Sequence, residues 1–190
     1  MRSAERSAFA LTAGDLSLLP LARSDANELH ALWTTPSVCR LLWDGEVIPF
    51  ERTLSVVDES ARLFARHGFG LWAARSGSDP GQPPDHRPRL TGFAGFWHFR
   101  EPPELELLYG VADDWWGRRV ATKSASAVIG YGFTELQMPM IRASTDVANA
   151  ASIRVLEKLG FSLVNRATIA KLDTLFYELS RDRYRFPASA

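Results

Sequence analysis

Residues Glu104 to Phe161 read ELELLYGVADDWWGRRVATKSASAVIGYGFTELQMPMIRASTDVANAASIRVLEKLGF. A strand carrying acidic residues enters a short basic turn. A long helical pattern follows, then a second strand, then a helix opened by Asn149 and closed by Gly160. This order predicts an anion site at a helix N-terminus with a carboxylate on the strand leading into it. Together these features point to a phosphate-bearing cofactor and a general base in one module.

The turn is Trp116-Gly117-Arg118-Arg119-Val120-Ala121-Thr122. The first N–H groups of the following helix have no intrahelical acceptor and sit at the positive end of its dipole. Phosphate binds such ends readily. Gly117 frees the turn, Ala121 permits close approach, and Arg118 and Arg119 add countercharge. The competing reading is a solvated basic turn. Glu104, Glu106 and Leu108 share one strand face. A carboxylate on a buried face is costly without a partner or a task, so Glu106 is either a hydrated rim residue or a general base. Asn149 is a favoured N-cap and Gly160 a favoured helix stop. Ser152 falls in the first turn of that helix, where its hydroxyl can point at a bound group, although capping and packing also account for the segment.

Outward from this stretch, Leu16–Leu21 reads as a first strand. A helix capped by Ser24 runs through Trp33 and ends at Pro36. A second helix extends from near Pro49 to His67, stopped by Gly68. Residues 70–75 form a strand, and the Pro- and Gly-rich residues 76–89 read as a mobile hairpin loop. Strands at 90–99 and 104–112, a helix at 121–136, a strand at 141–145, a helix at 150–159 and strands at 162–166 and 174–180 complete the pattern. Hairpins mixed with late β-α-β-α units imply an α+β fold with a mixed sheet. Residues 15–184 read as one domain, with 1–14 and 185–190 as tails.

The chain has 190 residues, 46% of them hydrophobic and 23% charged, as in ordinary globular proteins. Its 22 basic and 22 acidic residues balance, unlike the basic footprint of nucleic-acid binders. Cys39 is the only cysteine, so an internal disulfide is impossible; a small buried hydrophobe is its simplest reading. No apolar run approaches the ~18 residues of a membrane span. No signal-peptide core opens the chain. These features predict a reduced, cytoplasmic protein that binds no membrane, nucleic acid or metal.

The combination of Glu106-Leu107-Leu108-Tyr109, the Trp116–Thr122 turn, Asn149-Ala150-Ala151-Ser152 and Glu157-Lys158-Leu159-Gly160-Phe161 resembles the GNAT superfamily of acetyl-CoA-dependent N-acyltransferases. The branch it is most similar to is that of the ribosomal-protein N-terminal acetyltransferases. The resemblance implies a mostly antiparallel sheet splayed at its centre, helices on both faces, and acetyl-CoA as cosubstrate in the gap. The pantetheine arm would pair with backbone at Val111 and Ala112. The pyrophosphate would rest on amides from Arg118 to Thr122, and Asn149 would bond the arm near the thioester. Two departures stand out. Arg119 replaces a usual glycine, where a positive φ would strain it. Leu156 replaces a tyrosine that protonates the departing thiolate in many members; Ser152 is the proposed substitute in this branch.

The implied reaction is direct acetyl transfer to a primary amine of a small molecule or a peptide N-terminus. Glu106 would take the amine proton, Ser152 would serve the thiolate, and the Val111 N–H would polarise the carbonyl. Trp43, Trp97 and His98 are candidate acceptor-site residues, with His98 a second candidate base. Packing is the simpler role for the two tryptophans. Asp44 and Glu46 read as loop charges that could attract a cationic amine. A non-catalytic acetyl-CoA sensor or scaffold is the competing function. A nucleotide-binding domain of another fold lacks the expected glycine-rich loop. A homodimer fits the family.

Overall fold

The computed structural model describes residues 6–77, 88–98 and 105–185. Among these residues eight strands form one sheet in the order β1-β2-β3-β4-β5-β6-β8-β7. They are β1 Leu11–Ala13, β2 Leu16–Pro20, β3 Leu71–Ser76, β4 Leu90–His98, β5 Leu105–Val111, β6 Met140–Asp146, β7 Ser162–Ile169 and β8 Leu172–Ser180. Neighbours run antiparallel except β5 and β6, which are parallel and register only at Glu106 and Arg142. Beyond Glu106 the two strands diverge. The sheet is therefore open at its centre, between an N-terminal half and a C-terminal half.

Among the described residues five helices cover the sheet: α1 Ala26–Trp33, α2 Pro36–Leu42, α3 Phe50–His67, α4 Val120–Thr134 and α5 Ala150–Lys158. One core joins α4 and α5 to the sheet through Val128, Ile129, Phe133, Ile141, Ala143 and Leu156. The other joins α1, α2 and α3 to the opposite face through Leu29, Trp33, Val38, Val57, Ala73 and Phe93. β3 is buried at every residue and β4 nearly so, because both of their faces are covered. Gly95 is needed where β4 crosses the start of β3. A Cβ there would lie 2.1 Å from the Gly70 carbonyl oxygen.

Pro36 ends the helix before it, as expected, and also opens α2 at its first turn, where its missing N–H costs nothing. Two expectations are corrected. Ser24 does not cap α1: it lies in a 3-10 turn, Arg23–Asp25, closed by the Asp25 carboxylate accepting the Ala22 N–H at 2.9 Å, and Asp25 stands at the N-cap position of α1. Residues 6–14 are not a loose tail. Leu11–Ala13 pairs with β2, the Phe9 carbonyl accepts the Trp72 indole N–H at 2.7 Å, and Arg6 bonds the buried Asp25. Of the expected loop at 76–89, residues 78–87 lie outside the described residues, as do Phe99 and Glu104. Gly68 ends α3 in the left-handed conformation, as its sequence implied.

Candidate active site

The divergence of β5 from β6 opens a cavity of about 680 Å³ that runs through the sheet. Strand alternation puts different chemistry at its two ends. Glu106 bonds Ser144 on the face packed by α1–α3. Tyr109 and Val111, of opposite parity on β5, pack against the core of α4 and α5.

On the α4 side, Arg119 is the N-cap of α4 and adopts φ 62°, ψ 16°. The positive φ expected at this position is present, in a residue with a Cβ. The turn thereby aims the first amides of a 15-residue helix at the cavity, which Gly117, Arg119, Val120, Ala121 and Thr122 all line. Arg118 turns outward and lies 4.8 Å above the Trp115 ring. Trp116 lines the rim and donates its indole N–H to the Val111 carbonyl at 3.0 Å.

Backbone direction separates Val111 from Ala112. The Ala112 N–H donates to Thr91 at 3.0 Å and its carbonyl accepts from Trp115 at 2.9 Å. Ala112 is thus committed to β4 and the following turn, and does not line the cavity. Alternation along an antiparallel strand turns the polar groups of Val111 and Tyr109 to the other edge, toward the gap.

Asn149 caps α5 by accepting the Ser152 N–H at 3.1 Å. Both residues line the cavity, and so does Leu156 one turn later. The Tyr109 hydroxyl lies 2.9 Å from Ser152 Oγ and 3.3 Å from the Ser152 carbonyl. Burial pushes the Tyr109 phenol up to about 12, against the opposing effect of the Ser152 hydrogen bond.

Glu106 is 2% exposed, and Ser144 on β6 donates to its carboxylate. That bond ties β5 to β6 where the ladder ends. The carboxylate is therefore a buried, oriented group rather than a hydrated rim charge. Asp146 and Asp44 line the same cavity. Burial raises the Asp146 carboxyl above its ordinary range, and the charge of Asp44 raises it further.

The expected acceptor residues do not reach the cavity. Trp43 packs edge-on to Trp33 at 5.4 Å. Trp97 registers opposite Glu106 on β4 and packs into the α1–α3 core. His98 meets Phe69 edge-on at 5.6 Å. Cys39 is buried and donates its thiol to the Glu46 carbonyl at 3.1 Å. Among the described residues no acidic, histidine or cysteine cluster is placed to hold a metal, and no helix is long and apolar enough to cross a membrane. Sequence reasoning overlooked Tyr109, Ser144 and Asp146. Strand parity alone could have placed Tyr109 on the α4–α5 face.

The sequence matches the family model for an acetyltransferase (GNAT) domain over residues 15–162. It is 26% identical over 157 residues to spermidine N(1)-acetyltransferase of Escherichia coli (strain K12), covering 80% of this chain and 75% of that protein. The uncharacterized protein YkkB of Bacillus subtilis (strain 168) is 43% identical over 56 residues, which span 30% of this chain and only 33% of that relative. Among solved structures, RimL, a ribosomal L7/L12 alpha-N-protein acetyltransferase in complex with coenzyme A, superposes with a TM-score of 0.73 at 18% identity. It covers 92% of this chain and 99% of its own. That likeness speaks for the fold: an open, mostly antiparallel sheet with a central gap. With the family match spanning most of its length, the chain belongs to the GNAT acetyltransferase family and is an N-acetyltransferase.

Proposed function

We propose that residues 15–184, together with β1, form one catalytic domain that moves an acetyl group from acetyl-CoA directly to a primary amine. The observation that carries this reading is a single cavity joining the α4 N-terminus to Glu106 through the gap in the sheet. The pyrophosphate of acetyl-CoA would rest on the amides of Val120, Ala121 and Thr122, with Arg119 as countercharge. The pantetheine arm would follow the edge of β5 toward Ser152, with Asn149 beside it. The Val111 N–H, directed into the gap, is the candidate donor to the thioester carbonyl.

The amine would enter from the face that carries Glu106. Three carboxylates, Asp44, Glu106 and Asp146, line that part of the cavity, which favours an acceptor that is cationic at neutral pH. A small amine and a peptide N-terminus both meet this description. The relative named as a spermidine acetyltransferase and the structural neighbour named as a protein N-terminal acetyltransferase represent the two kinds. The cation must lose a proton before its nitrogen can attack. A peptide α-amine near pKa ~8 is partly neutral already, whereas a lysine-like amine near ~10.4 depends more on Glu106. Nitrogen attacks the carbonyl carbon, the C–S bond breaks, and sulfur leaves with the electron pair.

Thermal-shift titration with acetyl-CoA, CoA and ATP, beside thiol release over a panel of amines and peptides, tests the reading. A ligand at 100 times its Kd adds about 2.7 kcal/mol of stability. Stabilisation by both CoA compounds and not by ATP, with thiol release on cationic acceptors, is the expected result. Equal stabilisation by ATP, or none by acetyl-CoA, would overturn it.

A further inference from the structure

We propose that Tyr109 is a positioning residue for acyl transfer: its phenol holds the Ser152 hydroxyl so that the hydroxyl hydrogen is presented to the sulfur of the departing CoA. This rests on the acetyl-CoA reading above and extends it to a residue 43 positions away in sequence.

The geometry is specific. Ser152 occupies the first turn of α5, where a serine hydroxyl can otherwise fold back onto nearby backbone. Tyr109 approaches across the cavity wall, its oxygen 2.9 Å from Ser152 Oγ. The contact to the Ser152 carbonyl, at 3.3 Å, is the longer of the two. The phenol donating to Oγ leaves the serine's own hydrogen to be directed at a third atom. Tyr109, Ser152 and Asn149 all line the cavity. Asn149 has its side-chain oxygen engaged by the Ser152 N–H, which fixes the turn from below. Val155 and Leu156, the cavity residues one turn further along α5, have no polar hydrogen to give.

Magnitudes decide between positioning and proton relay. Burial holds the phenol at about 12, whereas an alkyl thiol titrates near ~8.5. Full transfer of the phenolic proton to a thiolate is therefore disfavoured by roughly three orders of magnitude. Tyr109 stays protonated and donates a hydrogen bond. When the C–S bond breaks, the electron pair remains on sulfur, and Ser152 Oγ–H donates to that thiolate. Tyr109 Oη–H donates to Ser152 Oγ and polarises its hydrogen. The amine proton goes to Glu106. The thiolate takes its own proton from water as CoA leaves.

The test reads the thiolate itself and needs no acceptor. CoA bound to the intact chain is titrated by the ultraviolet absorbance of its thiolate. In the wild type the bound thiol is expected about one pH unit below free CoA, because hydrogen bonds to a charged group are strong. Tyr109→Phe should move it back by roughly half a unit or more, while CoA affinity at pH 6 stays within about twofold. Ser152→Ala should move it back at least as far. In the Ser152→Ala background Tyr109→Phe should do nothing more, since there is no hydroxyl left to aim. A role for Tyr109 in packing alone predicts no shift of the thiol, or a shift that persists without Ser152; either outcome overturns the proposal. Should Tyr109→Phe fail to fold, Ser152→Ala carries the test: a bound thiol it leaves unmoved overturns the proposal. Failure of the wild type to bind CoA would sink the acetyl-CoA reading and this one together. CoA binding with no effect of Tyr109→Phe sinks only this one.

Discussion

Arg119 holds a left-handed conformation at the N-cap of α4, and replacing it with glycine separates two effects of one side chain. An L-residue in this region costs roughly 1–2 kcal/mol through its Cβ. Glycine removes that strain but makes the unfolded chain more flexible, at about 0.5–1 kcal/mol. The net expectation for Arg119→Gly is a gain of about 0.5–1 kcal/mol. For a chain of this size that raises Tm by roughly 1–4 °C. The same substitution removes the guanidinium lining the cavity. An exposed charge pair contributes about 0.2–1 kcal/mol, so CoA affinity should fall about 1.5- to 5-fold, and less so at high salt. Arg119→Ala is the control. It loses the same charge but keeps a Cβ at φ 62°, so it should bind CoA as weakly as the glycine variant without the gain in Tm. Melting curves for the three proteins, with CoA titrations at low and high salt, separate strain from charge. Equal melting temperatures for the glycine and alanine variants would refute the strain argument. Unchanged affinity in both would show that the backbone of the turn binds without help from its side chain.

Glu106→Gln keeps the shape and an acceptor for Ser144 but cannot take a proton; thiol release should fall by roughly 10²–10⁴ in kcat/KM, and an unchanged pH–rate profile would remove Glu106 from the mechanism. Asp44→Asn should stabilise the protein at pH 7 and not at pH 3. Asp146 is raised by its burial first and by the charge of Asp44 second, so its contribution to stability is full below the ordinary aspartate range and lost as pH rises through the raised value. Neutralising Asp44 lessens that loss, and thermal melts showing the same gain at both pH values would contradict the coupling. Gly95→Ala places a methyl 2.1 Å from the Gly70 oxygen and 2.7 Å from Leu71 Cα; both are backbone atoms that cannot swing aside, so a loss of about 1–3 kcal/mol or more is expected in urea unfolding, and a midpoint like that of the wild type would show that β3 and β4 can separate there.

The fold was legible where local chemistry and tertiary packing agree. Gly68 and Gly160 set helix ends by backbone preference and Asn149 by its side-chain cap, and the structure uses each in the expected way. Pro36 was ambiguous because proline is incompatible with the interior of one helix and well suited to the first turn of the next. β1 was invisible for a different reason. Three residues carry too little periodicity to register, and Leu11–Ala13 is a strand because β2 offers it an edge and Trp72 bonds the segment before it. Those are contacts across the sheet, with no trace in the local sequence.

The site divides along the same line. Glu106, the basic turn and Asn149 with Ser152 were readable because each depends on one element: strand parity, a helix N-terminus, a cap. Trp97 and His98 lie beside Glu106 in register, opposite Glu106 and Leu105. Adjacency on β4 was nevertheless the wrong criterion. The β4–β5 ladder is continuous from Leu105 to Val111, so nothing can enter between those strands. The cavity opens on the other edge of β5, where the parallel pairing to β6 stops after one register position. What faces Glu106 there is Ser144, and what faces Tyr109 is Ser152, each brought in by a strand or helix far along the chain. The residues that complete such a gap are set by where pairing fails. Sequence periodicity records where pairing can occur, and it is silent about where it ends.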